Sequence, residues 1–318
     1  MPYDALTTVW LIVRDVCLPI LVLIGAGFAF DRRYKLDLET LVKLNIYLFV
    51  PAFIFVRVTQ STIGTSLGFR LVAFTTSMIA SMAVLSLLVG RLRNYTPEQR
   101  KTLLLTSMFY NSGNFGIPLI TLAFPDVGPG VQVFVLMTMN ISTFSIGLML
   151  ASAQSCPAGR SIRFRIGPVL KQPSIYAIIA AIILKTFNVP VQEAIFVWKP
   201  AEFLADALIG LALVTLGVQL SQTRRSRCHG PLAWALAIRL VGGPLCAVGL
   251  TALFGFDKVV TAVLILGATA PTAVNTALLA HEFRGDSQTA AAAVFYSTGL
   301  SFLSVGAVLL WLRIAWAL

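Results

Sequence analysis

Ten long apolar stretches separated by short polar joints run through the chain: residues 8–30, 39–56, 69–90, 102–123, 131–153, 173–187, 199–220, 231–254, 259–280 and 288–312. Most are close to the ~20 residues a helix needs to cross a ~30 Å hydrocarbon core; residues 173–187 are the shortest. The two-residue alternation of barrel strands is absent, and runs such as Leu18 to Phe30 are apolar on every side. The pattern predicts an all-α membrane protein of ten spanning helices rather than a barrel.

Composition agrees. Of 318 residues, 57% are hydrophobic and 12% charged, about half the ~25% charge of a soluble domain. Lipid therefore serves as solvent for much of the surface. Secretory leaders place positive charge before their apolar run. Here Arg32, Arg33 and Lys35 follow the first span, and Arg14 and Asp15 interrupt it, so the first span is expected to stay as a helix.

The net charge of +11 invites a nucleic-acid reading, but its placement argues for orientation instead. With alternating sides, one set of loops holds fifteen of the 24 Lys and Arg, the other holds six, and Arg14, Lys43 and Arg239 fall within spans. The positive-inside rule puts the richer face in the cytoplasm and both termini outside. The expected location is a cell membrane (the inner one in a bacterium), with no nucleic acid as partner. Trp10, Trp198, Trp311 and Trp316 fall near the expected outer interface, and Trp234, Tyr34 and Tyr95 near the inner one. Cys17, Cys156, Cys228 and Cys246, with His229 and His281, show no metal-ligand or disulfide spacing, so neither metal nor cofactor is expected.

The longest polar stretch, residues 154–172, has five spans before it and five after. An odd number per half makes the halves enter the membrane in opposite directions, the topology of an inverted repeat. Residues 1–153 form the first expected repeat, 154–172 a cytoplasmic linker, and 173–318 the second. The fourth span of each half carries a matching irregularity: Asn111-Ser112-Gly113-Asn114-Phe115-Gly116-Ile117-Pro118 in one and Thr269-Ala270-Pro271-Thr272-Ala273-Val274-Asn275 in the other. Gly113, Gly116, Pro118 and Pro271 are the expected helix-breaking residues. Breaks at corresponding places in two halves point to a transporter's binding site. A half-helix that begins at a break offers free N–H groups and a positive dipole end to an anion. Asn111, Ser112, Asn114, Thr269, Thr272 and Asn275 are the candidate substrate-binding residues, able to complete such a site with neutral polar groups. The plainer reading keeps the prolines as kinks and the asparagines as helix caps, and capping is compatible with binding.

The segment Asn111 to Leu119 resembles the fourth-span motif of the auxin efflux carrier family of permeases, which includes plant PIN auxin exporters and bacterial relatives linked to malonate or malate. Leu18-Pro19 through Gly25, Arg32-Arg33, Phe49-Val50-Pro51-Ala52, Leu216 to Leu220, and Pro271 through Phe283 extend the resemblance over almost the whole chain. It implies a fold like that of bile-acid/sodium symporters and sodium/proton antiporters, with broken helices four and nine crossing. Spans 1, 2, 6 and 7 would form a scaffold, with a transport domain from spans 3–5 and 8–10 and a homodimer built through scaffold helices. It also implies that Asn111, seven residues before Pro118, lies at the substrate carboxylate, with Asn275 as its counterpart. Two departures stand out. The long cytoplasmic loop of the plant proteins is missing, which marks the compact prokaryotic type, and span seven lacks the proline expected near Gly210-Leu211.

Ionisable groups within spans default to functional candidates. Asp206 is the candidate coupling group for a proton or cation such as sodium; the rival reading has Asp206 and Glu202 reaching water or pairing with a base at the outer end of their helix. Lys43 is expected to snorkel to the cytoplasmic edge. No catalytic constellation or Walker motif is present, so the chain is not expected to be an enzyme. The expected function is secondary transport of a small organic anion (a mono- or dicarboxylate, or an auxin-like acid) by alternating access. The alternative is a channel or membrane receptor on the same scaffold.

Overall fold

The computed structural model describes residues 10–61, 63–152, 172–223, 230–282 and 285–316. The expected linker 154–172, apart from Gln172, lies outside the described residues, as do Cys156, Cys228 and His229. In chain order the helices are α1 (Trp10–Tyr34), α2 (Leu38–Gln60), α3 (Thr65–Leu92), α4 (Pro97–Met108), α5 (Gly116–Ala123), α6 (Gly128–Ala151), α7 (Pro173–Thr186), α8 (Ile195–Gln222), α9 (Gly230–Phe254), α10 (Lys258–Gly267), α11 (Val274–Glu282) and α12 (Ser287–Trp316). Seven of them, α1, α2, α3, α6, α8, α9 and α12, are long and apolar enough to cross a membrane. The chain is thus all-helical and multi-pass, and among the described residues no β-ladder forms beyond one isolated bridge.

The other three apolar stretches depart from a plain span. Residues 173–187 hold a 14-residue helix. Stretches 102–123 and 259–280 are each split, into α4 and α5 and into α10 and α11, with non-helical residues between. Span seven, in contrast, is one uninterrupted helix from Ile195 to Gln222, with Gly210 inside it. The first helix runs past its expected end, so Asp31, Arg32 and Arg33 complete its last turns.

The most extensive helix contact is between α1 and α8. A Cβ on Gly27 would lie 2.2 Å from the Val214 carbonyl oxygen, and one on Gly217 would lie 2.1 Å from that of Ile24, so the two backbones touch only because both positions are glycine. At one end of this crossing, the buried Asp31 carboxylate accepts from Ser221 Oγ (2.6 Å), Gln222 Nε2 (2.8 Å) and the Leu36 amide (3.0 Å). Helix α2 packs on α7 and α8. On the other side, α3 packs on α4, α6 and α9, and α12 packs on α9 and α11. A separate apolar cluster joins the two sides: Phe53, Ile54, Val56 and Val58 of α2 with Ile117 of α5 and Val133, Leu136 and Met137 of α6. Trp198, near the start of α8, is buried against Phe55 at a ring separation of 6.4 Å.

Candidate functional site

The two breaks meet. After α4 the chain turns extended at Phe109 (φ −106°, ψ 123°), and Tyr110 forms an antiparallel bridge with Thr272. The Asn111 amide donates to the Pro271 carbonyl at 2.7 Å, and the Ala273 amide donates to the Phe109 carbonyl at 2.9 Å. Backbone groups that helix breaking would leave bare in an apolar interior are thereby paired with each other. Two buried side chains add to the joint: Thr272 Oγ1 donates to the Thr106 carbonyl at 2.9 Å, and Ser297 Oγ accepts the Thr272 amide at 3.0 Å.

The prolines act differently from a simple kink. Pro271 lies within the extended segment and presents its carbonyl to Asn111. Pro118 is the third residue of α5, a first-turn place where the missing N–H costs nothing, so it starts the second half-helix rather than ending the first. Gly113 lies in the break and Gly116 opens α5. A Cβ on Gly116 would come within 2.6 Å of Gln132 Nε2, which donates to the Ser112 carbonyl at 2.6 Å.

A small cavity lies against the junction. Tyr110 to Asn114 line it from one break, Ala273 to Asn275 from the other, with Asn45 of α2 and Asn140 of α6. Of its lining residues outside the breaks, Val42, Asn45 and Ile46 of α2, Asn140, Thr143 and Phe144 of α6, and Gln172 and Ser174 at the start of α7 lie toward the Leu38, Ala151 and Pro173 ends of those helices, while Val50, Leu136 and Met139 lie near mid-helix. Toward the other end lies the apolar cluster around Phe53 and Val56, which shares Val50 and Leu136 with the cavity lining.

Asn111 is 6% exposed. Its Oδ1 accepts the Asn114 amide at 3.0 Å, which fixes the orientation of the side chain and leaves Nδ2 buried without a partner. Asn114 Oδ1 in turn accepts from Asn45 Nδ2 at 2.8 Å, and Asn45 Oδ1 is also buried and unpartnered. An unpaired buried amide is costly, and here the free donor belongs to a residue that lines the cavity.

Of the sequence candidates, Asn111, Ser112, Asn114 and Asn275 line this cavity, whereas Thr269 and Thr272 do not. Both threonines are fully buried with hydroxyls committed to backbone carbonyls, Leu266 for Thr269 and Thr106 for Thr272. Asp206 is not at the cavity either. It pairs with Arg57 at 2.9 Å and its side chain is 61% exposed, while Glu202 pairs with Lys199 at 2.6 Å. Lys43 pairs with Glu39 one turn away, both side chains exposed. Among the described residues no cluster of three or more His, Cys, Asp or Glu forms a metal site. Sequence reasoning passed over Asn45 and Gln132. Each is an amide inside a strongly apolar run, and that contrast is the signal that would have found them.

Comparison with known proteins agrees with this architecture. The chain matches the membrane transport protein family model over residues 12–158 and 168–309. An uncharacterized transporter of Methanothermobacter thermautotrophicus is 22% identical over 295 residues, covering 92% of this chain and 95% of its own. An uncharacterized transporter of Methanocaldococcus jannaschii is 26% identical over 312 residues, covering 93% and 97%. A family match across nearly the whole chain, over a bundle of membrane-length helices, makes this protein a member of the membrane transport protein family, that of the auxin efflux carriers.

Proposed function

We propose that this transporter carries a small organic anion by alternating access, binding its carboxylate where the two broken helices join. The buried, unpartnered Nδ2 of Asn111 carries the reading. It lies near the amino ends of α5 and α11, whose dipoles favour negative charge; the first α5 amides, those of Gly116, Ile117 and Leu119, donate to the Asn111, Gly113 and Phe115 carbonyls. Asn275 and Asn114 would add neutral donors, and Ser112 would shape the wall. Among the described residues no lysine or arginine lines the cavity, so helix ends and amides would supply the recognition there.

In this reading the chain makes ten passes as two inverted five-helix repeats, a view supported by the same late position of the broken element in each half. Helices α1, α2, α7 and α8 form the scaffold, and α3–α6 with α9–α12 form the moving transport domain. The separation of helix contacts into those two sets supports the division. With the fifteen-cation face in the cytoplasm, the cavity opens inward and the Phe53–Val56 cluster is the outer seal. The homodimer through scaffold helices remains part of this reading, and the mass of the purified protein in detergent tests it. The ion pair of Asp206 with Arg57 supports its structural role over a coupling role.

The test is flux in proteoliposomes of labelled acetate, benzoate, phenylacetate, malonate, succinate and malate, with and without sodium and proton gradients. At least one carboxylate is expected to move, and Asn111→Ala with Asn275→Ala to abolish it in folded protein. Undiminished flux in the double variant would reject the site. Ion conductance far above ~10³ s⁻¹, faster than domain motions on the μs–ms scale, would replace the transporter by a channel.

A further inference from the structure

Arg239 is the one described cation that lies at the middle of the bundle, and the transport reading above has not used it. It is fully buried, nine residues from the start of α9, which puts it about 14 Å along the helix axis, beyond the reach of its side chain to that surface. Among the described residues no carboxylate pairs with it. Instead Nη1 donates to the Ser107 carbonyl at 3.2 Å and Nη2 to the Ala268 carbonyl at 2.7 Å. These are the carboxyl ends of α4 and α10, the two half-helices that run into the junction from opposite halves of the chain. The guanidinium also lies 4.9 Å from the ring centre of Tyr110, which lines the cavity on its other side.

We infer that Arg239 sets the charge preference of the junction: by neutralising the carboxyl ends of α4 and α10 it leaves the amino ends of α5 and α11 as the site's net positive charge, sized for a single carboxylate. This rests on the binding reading above and goes further. Four helix ends converge here. Each carries about half a unit of charge, negative at α4 and α10 and positive at α5 and α11, so alone they cancel. One guanidinium balances the two negative ends, and the sum at the junction becomes about one positive unit. A monoanionic head fits that sum. A second carboxylate of a diacid would have to sit toward the mouth, where water screens it.

Arg239 is thus a positioning residue that acts through the helix ends without touching the ligand. The sequence around it fits that task. A Cβ on Gly243 would lie 2.2 Å from Arg239 Nη2 and 2.9 Å from the Ala268 carbonyl oxygen, so glycine at 243 leaves the guanidinium its place.

The experiment measures binding to purified protein in detergent, by calorimetry and thermal shift, of phenylacetate against phenylacetamide, and of malonate and succinate against their diamides. Wild type is expected to prefer each acid over its amide. Arg239→Gln is expected to lower that preference about tenfold, the scale of one charge acting across a single ring at an effective dielectric near 20, with amide binding little changed. Arg239→Lys, which keeps the charge but not the fork, is expected to hold most of the preference. Gly243→Ala, which displaces the guanidinium, is expected to lose part of it. A folded Arg239→Gln with the wild-type preference, or with acid and amide weakened alike, overturns the inference. If that variant does not fold, a folded Arg239→Lys without preference does the same. Failure of wild type to bind any of these acids would sink the binding reading itself, before Arg239 is touched.

Discussion

At the scale of single residues, the molecule depends on atoms that are missing and atoms that are unpaired. Gly27 and Gly217 let α1 and α8 pass with their backbones in contact. Gly217→Ala places a methyl group against a rigid carbonyl and must push the helices apart, which overpacking data put at about 1–3 kcal/mol. A fall in melting temperature in detergent checks it, and an unchanged melting curve would mean that α1 and α8 do not cross there. Asn111 is the opposite case, a donor without an acceptor. Asn111→Asp is nearly isosteric, yet it puts negative charge where the substrate's would lie. It is expected to abolish carboxylate binding while leaving the protein folded, and binding that survives with the same affinity would show that the acid head sits elsewhere.

Among elements, two devices recur. Helix carboxyl ends are capped by cations from other helices. Lys185 Nζ donates to the Ser61 and Ile63 carbonyls beyond α2, Arg70 to those of Phe254 and Gly255 at the end of α9, and Lys258 to Trp316 at the end of α12. Such caps satisfy orphan carbonyls and oppose the negative dipole end. Arg239 applies the same chemistry to two helix ends at once, deep in the bundle. The second device is a five-residue π turn just before a proline, which holds for three of the four such turns among the described residues, Thr143–Gly147 being the exception. Val13–Cys17 precedes Pro19, Asn45–Phe49 precedes Pro51, and Ile238–Gly242 precedes Pro244. Proline cannot donate to the carbonyl four residues back, and a wider turn re-pairs the strand of bonds around it. At Pro244 that carbonyl belongs to Leu240, and Ser304 Oγ donates to it at 2.7 Å. Two of these turns also carry the polar side chains that reach the junction, Asn45 in one and Arg239 in another. Pro51→Ala is expected to let its turn relax to α-helix, rotating Asn45 by about 100°, one residue step of the helix. In a cysteine-free background, a disulfide formed between cysteines at 45 and 114 should then lose most of its yield. Equal yields would show that proline does not hold the turn.

For the whole molecule, the decisive feature is asymmetry: most of the cavity lining lies toward the Leu38 and Ala151 ends of α2 and α6, and an apolar cluster lies toward their other ends. With the basic loops inside, a cysteine at Asn140 should react with a membrane-impermeant thiol reagent from the cytoplasmic side only, and a cysteine at the fully buried Val56 from neither side. Labelling of the 140 position only from outside would reverse the assigned orientation. On the alternating-access proposal, substrate or a mutation that favours an outward state should expose position 56, and a position 56 that stays unreactive under both would count against that proposal.

The apolar pattern alone determined the solvent, the helical class and the approximate span positions, because a bilayer leaves a chain few ways to satisfy its backbone. It also located both breaks, since glycine, proline and asparagine within a greasy run oppose a continuous helix. What it left open was how the broken ends are paired and which polar side chains face the cavity. Thr269 and Thr272 share the composition of a binding site, yet their hydroxyls are consumed by carbonyls. Asn45 and Arg239 reach the junction from helices far away in sequence. Local spacing carries the propensity to break a helix, but the partner of a buried donor is chosen only when distant segments pack, and that was settled by the tertiary structure.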